Sequence, residues 1–412
     1  MSLFSMGENG VRYAVLVDIG SGSVLASIAA SDPDKTHPDI IWSKREYSPF
    51  REKDEMSTGA KSVMTSLMNV FMALDSEGRK AFRESTGENR FPYLFVTIAA
   101  PWSYTVTKTI SYKQEKEFLI SDSLISELLY ASQKKVMEEL KENEKMHDLG
   151  LSIISRTTTD IVSNGYQIQV TGKQKAKSLK VVQSTAITQE KLVTAIEDVQ
   201  DKVLPKAELL QYSFMLIFFY VMREMYPDSS EFCLIDITYE ATEIGVVREG
   251  VLQYCTHAPY GSFSLAREIS KILSIPLEEA YKFLNQSEEE MEVSLAKYSV
   301  EKKKDIAVIF GRYQEQLIKL LNETGDSLSI PKKIFLHGDL HSEPFFKRQI
   351  IEAANAATGS SHAVYTVSAD LLTKNYSEKA QENLKNSNQD TALLISAQFF
   401  HTQDYNSTFE QL

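Results

Sequence analysis

The stretch YAVLVDIGSGSVLASIA, Tyr13 to Ala29, has the pattern of a β-hairpin. An apolar strand ends at Asp18, the turn Gly20 to Ser23 follows, and a second apolar strand comes after it. The glycines of this turn can adopt positive φ, and they let backbone N–H groups approach a phosphate oxygen, to which the two serine hydroxyls can also donate. The pattern predicts an anion-binding turn with Asp18 near a metal-bound water, and a purely structural turn is the alternative.

A second copy of this pattern begins at Phe232, FCLIDITYEATEIGVV. Apolar residues precede Asp236, a short polar turn comes next, and another apolar strand follows. Asp236 lies 218 residues after Asp18, and apolar residues match on both sides when the two segments are aligned. In both halves the pattern continues into a third strand, over Asp39 to Tyr47 and over Val251 to Ala258. The sequence therefore predicts an internal duplication at the scale of a domain.

Length and composition limit the classes of protein to consider. The chain has 412 residues, 43% hydrophobic and 24% charged, which predicts a folded protein of two or more domains. Its net charge of -12 argues against a nucleic-acid surface. Cys233 and Cys255 lie in apolar runs, which favours buried free thiols in a reducing compartment over a redox pair. No secretory signal is visible, and the most apolar run, Phe214 to Met222, is too short to span a bilayer.

Residues from about Thr105 to Leu204 are more polar than their surroundings. We expect a charged helix around Ser123 to Lys145, a hairpin at Asn164-Gly165 and a helix over Gln189 to Val203. This block predicts an inserted α+β subdomain that interrupts the first half of the chain.

The ordered set of segments resembles the actin-like ATPase superfamily, in particular its PilM and FtsA branch. VDIGSGSV, from Val17, is similar to the first phosphate loop, LIDITYEATEIGVVREGVLQY, from Leu234, to the second, and IFLHGD, from Ile334, to the adenosine loop. The resemblance implies an α/β, actin-like (ribonuclease H-like), duplicated two-lobed fold with a small α+β subdomain inserted in the first lobe. It sets the following boundaries: 1–104 and 205–230 for the first lobe, 105–204 for the insert, 231–389 for the second lobe, and 390–412 for a C-terminal helix and polar tail.

ATP and Mg²⁺ in the cleft between the lobes are what this resemblance implies. Asp18 and Asp236 would lie near the metal. Glu279 and Lys282, one helical turn apart, would flank the adenine and ribose, and Gly338 would approach the adenosine. The terminal phosphates would be held by the first turn, that is by Gly20, Ser21, Gly22 and Ser23.

The second turn departs from the family pattern. Thr238, Tyr239 and Glu240 stand where the family usually has glycines, and Gly338 is the single glycine of the adenosine loop. Side chains there obstruct backbone approach to a phosphate, and a glutamate adds a like charge. We therefore expect a weak ATPase at most, favour a pseudo-ATPase without a catalytic residue, and leave ATP binding open.

The C-terminal stretch favours the PilM side of the branch. His401 to Leu412 contains no Lys or Arg, so it does not have the pattern of the basic amphipathic helix that ends FtsA. The resemblance then implies a cytoplasmic scaffold, peripheral at the inner membrane, whose insert binds the cytoplasmic peptide of an inner-membrane protein in type IV pilus assembly. Self-association into filaments fits this class, whereas nucleic acid and direct membrane insertion do not.

Three alternatives remain at this point. An FtsA-like cell-division scaffold fits the same segments. A small-molecule kinase of the same superfamily would need an intact second phosphate loop. A zinc site at His337, Asp339 and His341 is suggested by their alternation, although a fourth ligand is not evident.

Overall fold

The computed structural model describes residues 10–49, 56–142, 150–168, 174–323, 330–338, 343–377, 381 and 390–403. These residues form three sheets. One sheet lies in each half of the chain, and the strands of the third come, in the sequence, between the last two strands of the first sheet.

The first sheet has the strand order β3-β2-β1-β4-β9. β1, β2 and β3 are consecutive antiparallel neighbours, and β4 and β9 run parallel to β1. Most of β1 and all of β2 and β4 are buried, as expected of continuous apolar runs in a covered sheet. The strands are β1 Arg12–Ile19, β2 Ser23–Ser31, β3 Asp39–Tyr47, β4 Tyr93–Ile98 and β9 Glu208–Ser213.

The second sheet repeats the first, with the order β12-β11-β10-β13-β14 and the same strand directions. The predicted duplication is therefore confirmed. Cys233 on β10 and Cys255 on β12 are both free thiols, as predicted; Cys233 is buried, whereas Cys255 is half-buried. The strands are β10 Phe232–Ile237, β11 Thr242–Arg248, β12 Val251–Ala258, β13 Lys333–Gly338 and β14 Ala363–Thr366.

The third sheet, here called the insert sheet, is antiparallel with the order β5-β8-β6-β7. One of its faces packs on helix α3, Asp122–Glu142, around a small apolar core. Asn164 and Gly165 both have positive φ in the turn between β6 and β7, which confirms the predicted hairpin. The domain boundaries themselves stay a prediction. The strands are β5 Ser103–Leu119, β6 Leu151–Ser163, β7 Tyr166–Gln167 and β8 Lys175–Gln189.

Two helices, α5 (Phe214–Met225) and α12 (Thr391–Thr402), lie between the first and second sheets and share one apolar cluster with strands of both. No described helix is both long and apolar enough to cross a membrane. A π-helical segment, Leu74–Gly78, joins α1 to α2. The helices are α1 Met56–Ala73, α2 Arg79–Thr86, α3 Asp122–Glu142, α4 Glu190–Val203, α5 Phe214–Met225, α6 Ser262–Leu273, α7 Leu277–Leu284, α8 Glu288–Ala296, α9 Val300–Asn322, α10 Glu343–Thr358, α11 Ala369–Leu372 and α12 Thr391–Thr402.

Candidate functional site

The two predicted turns occupy equivalent positions, at the ends of β1 and β10. Each is closed by one backbone hydrogen bond, from Gly20 N–H to the Ser23 carbonyl at 3.0 Å and from Thr238 N–H to the Ala241 carbonyl at 2.9 Å. The Gly20 N–H is thus used within its own turn. Neither Gly20 nor Gly22 has positive φ, so the expectation that these glycines supply left-handed backbone is wrong.

Gly22 is required for another reason, which is the close approach of the second turn. A Cβ at this position would lie 2.4 Å from Cδ2 of Tyr239, so the tyrosine ring packs directly on the glycine. Beside it, the Glu240 N–H donates to Ser21 Oγ at 3.1 Å. The two turns therefore contact each other at the place where the resemblance implies terminal phosphates.

The second turn is held from behind by α6. The N–H groups of Ser262 and Phe263, which begin this helix, donate to the carbonyls of Thr238 and Tyr239 at 3.1 and 2.8 Å. Helix N-terminal N–H groups are common anion donors, and here two of them bind the protein's own backbone. The Tyr239 ring also packs against the ring of Phe263, with centroids 4.2 Å apart.

The carboxylate of Glu240 binds an arginine of its own lobe and not the first turn. Its carboxylate forms a two-pronged buried ion pair with Arg267 of α6, at 3.0 and 2.5 Å. The expected repulsion between Glu240 and a phosphate is thus replaced by an internal pair. Arg267 was not identified from the sequence.

Asp18 is bound by an arginine, Arg45, that reaches it across the sheet. In register, Asp18 lies opposite Leu25 on β2, and Leu25 lies opposite Arg45 on β3, so all three share one face. Arg45 Nη2 donates to Asp18 Oδ2 at 2.9 Å, Nη1 donates to Ser23 Oγ at 2.7 Å, and Nε donates to Asp390 Oδ2 at 2.6 Å. The guanidinium thus occupies the space beside Asp18 that a metal-bound water would need.

One guanidinium binds the buried carboxyl group of Asp18 and the half-buried carboxyl group of Asp390, and their pKa values shift in opposite directions. Burial raises the pKa of Asp18 above its ordinary value, although Arg45 opposes this shift. Burial would also raise the pKa of Asp390, but Arg45 and the Leu393 N–H together hold it below its ordinary value. Asp390 also caps the N-terminus of α12, since its side chain accepts from the Leu393 N–H.

Asp236, the equivalent residue in the second sheet, is bound by a histidine. Its Oδ1 lies 2.7 Å from Nδ1 of His337, which is the register neighbour on β13. The other ring nitrogen, Nε2, lies 3.0 Å from the Thr391 hydroxyl at the start of α12. Asp236 Oδ2 is buried without a hydrogen-bond partner in the described structure. Both aspartates thus connect through one side chain to the first residues of the same helix.

Glu243, opposite Asp236 on β11, adds a second buried carboxyl group to this face. Burial raises its pKa well above the ordinary value, the Asp236 charge raises it further, and a backbone hydrogen bond from Thr105 opposes the shift. Thr105 belongs to β5, so this carboxyl group joins the second sheet to the insert sheet. Sequence reasoning missed Glu243, although its place in an apolar strand was a signal.

The remaining predicted residues lie elsewhere. Glu279 and Lys282 of α7 line a cavity of about 120 Å³ whose lining includes no residue of either turn. Lys282 also pairs with Glu278 at 2.8 Å. Gly338 ends β13 beside Ile237, and the two other residues of the zinc alternative, at 339 and 341, fall outside the described residues. The described part of the chain contains no group of three His, Cys, Asp or Glu residues that could hold a metal.

These contacts do not fit Mg²⁺ and ATP. A magnesium ion is held by one or two carboxylate oxygens, and its other coordination positions must be accessible to water and phosphate. Here the Asp18 carboxylate binds a guanidinium, Asp236 binds an imidazole, and the two turns touch. The assignment of these residues to nucleotide and metal stays a prediction, and the geometry of the cleft counts against it.

No family model matches this chain, and no curated protein sequence matches it. Among solved structures, it is similar to the PilM-PilN type IV pilus biogenesis complex, with 12% identity, 95% of this chain and 98% of that chain covered, and a TM-score of 0.56. Ethanolamine utilization protein EutJ from Carboxydothermus hydrogenoformans has 10% identity, 95% and 89% coverage, and a TM-score of 0.44. A protein of unknown function with an actin-like ATPase fold from Bacteroides thetaiotaomicron has 10% identity, 93% and 95% coverage, and a TM-score of 0.37. The predicted actin-like, two-lobed fold is confirmed.

Proposed function

We propose that this chain, which has the actin-like ATPase fold, is a PilM-like scaffold that binds an extended cytoplasmic segment of an inner-membrane protein. We place the segment at the junction of β6 and β9, where the insert sheet meets the first sheet. The proposal includes a cytoplasmic position at the inner membrane and a role in type IV pilus assembly, as the sequence resemblance implies.

Two strand edges at this junction support the proposal. β9 is the last strand of the first sheet, with β4 as its neighbour on one side. β6 pairs with β8 on one side, and on the other side β7 covers it at Val162 and Ser163 alone among the described residues. Unpaired backbone N–H and C=O groups at an edge are the usual docking point for an extended peptide.

Buried polar side chains without hydrogen-bond partners are the main support for the proposal. Ser155 Oγ and Thr157 Oγ1 on β6 and Gln211 Nε2 on β9 are buried and have no hydrogen-bond partner in the described structure. A buried polar group without a partner costs about 1–3 kcal/mol. A peptide at the junction would supply such partners from its own backbone, so its binding would recover part of this cost.

Photo-crosslinking tests the proposed partner. A photoreactive amino acid at Gln211 should crosslink the chain, in membranes of its own cells, to one membrane protein through a segment outside the bilayer. The same amino acid at Lys80, an exposed position on α2, is the matched control. A synthetic peptide of the crosslinked segment should then compete for the site. Equal crosslinking from both positions, or no competition, would contradict the proposal.

The same scaffold would work without ATP turnover. Calorimetric titration with ATP and Mg²⁺ should give no binding heat, because Arg45 binds Asp18 and Tyr239 packs on Gly22. Binding heat that disappears in Asp18→Ala would instead show a working nucleotide site, and ATP turnover that depends on a small metabolite would revive the kinase alternative. Concentration of the tagged protein at mid-cell would favour the division alternative over the pilus role.

A further inference from the structure

The open face of the insert sheet is unlike the rest of this acidic protein. α3 covers one face, around Ile110, Leu179 and Val181. The opposite face contains Thr107 and Ser184, whose hydroxyls lie 3.0 Å apart, and the unpartnered Thr157 in the same row. The part of the same face that lies between this row and the β6–β7 turn is here called the outer half; it includes the row of Lys180 and Val162.

Four lysines, here called the lysine face, lie on that outer half: Lys113, Lys175, Lys177 and Lys180. Lys175 and Lys177 flank the buried Ala176, and Lys180 lies between the buried Leu179 and Val181. The strand register shifts between these two groups, so Ala176 and Leu179 both pack on the α3 side and the lysines beside them lie on the other side. Lys113 lies opposite Ser178 and follows Tyr112, which packs on the α3 side.

None of these four lysines has an ion pair within the described structure, and Lys113, Lys175 and Lys177 are exposed. Glu115 and Glu117 lie in the irregular part of β5, and Asp160, opposite Val182, lies on the same face as Lys180 in the neighbouring row. The chain as a whole carries a net charge of -12, so this face is a local reversal of its charge.

An exposed apolar side chain, Leu119, lies on the lysine face. Leu119 is opposite Lys175 and is 50% exposed. Tyr166, which is 77% exposed, lies in the row of Ser163 and Leu179 and therefore belongs to the α3 side of the sheet. Lysines around an exposed leucine can bind the interface of an anionic bilayer, because the cations meet headgroups while the apolar group enters the boundary region.

We propose that the lysine face binds the anionic surface of a phospholipid membrane. Adjacent strands are about 4.8 Å apart, so the four ammonium groups present a flat array that suits a lipid surface better than a single folded anion. The inference rests on the proposed function for its orientation: a membrane protein's segment held at Thr157 would bring the outer half of the same sheet face toward the bilayer. An acidic peptide is the competing occupant.

Vesicle co-sedimentation of the purified full chain tests the proposal. Wild type should bind vesicles of phosphatidylcholine with about a third phosphatidylglycerol, should not bind pure phosphatidylcholine, and should be released by salt. Replacing the four lysines of the lysine face with Gln should lower the partition by roughly 600-fold, since each lysine near an anionic surface contributes about fivefold. A matched variant removes the same charge from exposed lysines of the two lobes: Lys61→Gln, Lys271→Gln, Lys304→Gln and Lys332→Gln.

The matched variant should bind vesicles as wild type does, and circular dichroism should show that both variants are folded. Equal loss in both variants would overturn the proposal, because net charge alone would then explain binding. Binding of polyglutamate without binding of anionic vesicles would also overturn it, in favour of an acidic peptide. Since these vesicles contain no partner protein, failure here leaves the Gln211 crosslink intact, and failure of the crosslink leaves vesicle binding intact.

Discussion

The two halves of the cleft have the same backbone and different side chains across it. In the first sheet, the row through the aspartate reads Thr97, Asp18, Leu25 and Arg45 across four neighbouring strands. In the second sheet, the equivalent row consists of His337, Asp236, Glu243 and His257. Each row faces the space between the sheets, and each connects its aspartate to the start of α12.

The difference teaches how each half satisfies a buried aspartate. The first sheet uses a permanent cation from its outer strand, and a single arginine binds both Asp18 and Asp390. The second uses the neighbouring histidine and leaves one oxygen of Asp236 unpaired. Closure of the cleft thus depends on Arg45 in one half and on His337 in the other, and substitutions can separate the two contributions.

The largest effect is expected at Arg45. Arg45→Met leaves the buried Asp18 and the half-buried Asp390 without their cation, and breaking a buried ion pair from one side costs about 3–5 kcal/mol. The side chains of Arg45 and Asp18 are 12% and 5% exposed, so water replaces little of the interaction. Urea unfolding should show this loss of stability.

Lys44→Met, at the preceding position of β3, is the control. Lys44 pairs with Glu77 at the surface, with 36% and 56% of the side chains exposed, and such pairs contribute at most about 1 kcal/mol. Similar unfolding midpoints for the two variants would show that the buried pair does not hold the first half together.

A smaller effect is expected at His337. His337→Ala leaves both oxygens of Asp236 without a partner, which should cost about 2–3 kcal/mol. Thr97→Val is the matched change in the first sheet. Thr97 Oγ1 lies 3.4 Å from Asp18 Oδ1, and Asp18 keeps Arg45, so a loss below about 1 kcal/mol is expected. Chemical denaturation of both variants measures the difference, and a larger loss in Thr97→Val would reverse the comparison.

The contact between the two turns gives the third prediction. Gly22→Ala places a methyl group against the Tyr239 ring and should destabilise the fold by about 1–3 kcal/mol. Gly20→Ala should cost less, because its added Cβ would be 3.3 Å from the nearest atom, the Ser23 carbonyl oxygen. A double-mutant cycle with Tyr239→Leu measures the coupling, which should be large for Gly22 and near zero for Gly20. Equal coupling would mean that Tyr239 does not determine the glycine at 22.

The sequence predicted the repeated framework because that framework depends on local patterns. Alternation over Asp39 to Tyr47 and the apolar runs before Asp18 and Asp236 determine strands whatever surrounds them. β5 and β9 were missed. β5 carries a polar row on one face, and β9 is a six-residue edge strand whose pairing depends on β4, which is distant in sequence.

The contents of the cleft could not be predicted in the same way. Arg45, His337 and Asp390 come from three distant segments, and their contacts depend on strand register and on where α12 begins. The resemblance correctly placed the two turns opposite each other, but it also carried over the expectation of an open site. Arg45 lies on the face of β3 that it shares with Leu25 and Asp18. A charged residue on that face was the available signal of a buried ion pair.

The smallest effects are expected from two substitutions that replace a carboxyl group by an amide. One should raise the stability at neutral pH and the other should lower it. The pKa of Glu243 is raised by burial, so the folded state keeps this proton to higher pH than the unfolded state, and stability falls as pH rises above the ordinary value of 4.5. Glu243→Gln removes this loss and should be more stable than wild type near neutral pH, with the advantage shrinking toward about pH 4.

Asp390→Asn should behave in the opposite way. Burial opposes ionisation of Asp390, but Arg45 holds its pKa below the ordinary value of 3.8, so its contribution to stability is present above that pH and is lost as pH falls through the folded-state pKa. Asn keeps the N-cap of α12, so the variant should be less stable than wild type at neutral pH, with the deficit shrinking in acid. Unfolding midpoints measured from about pH 4 to about pH 8 report both differences. Differences of the same sign would show that the halves handle their buried carboxyl groups alike, and the contrast between the two rows would then lie in their contacts alone.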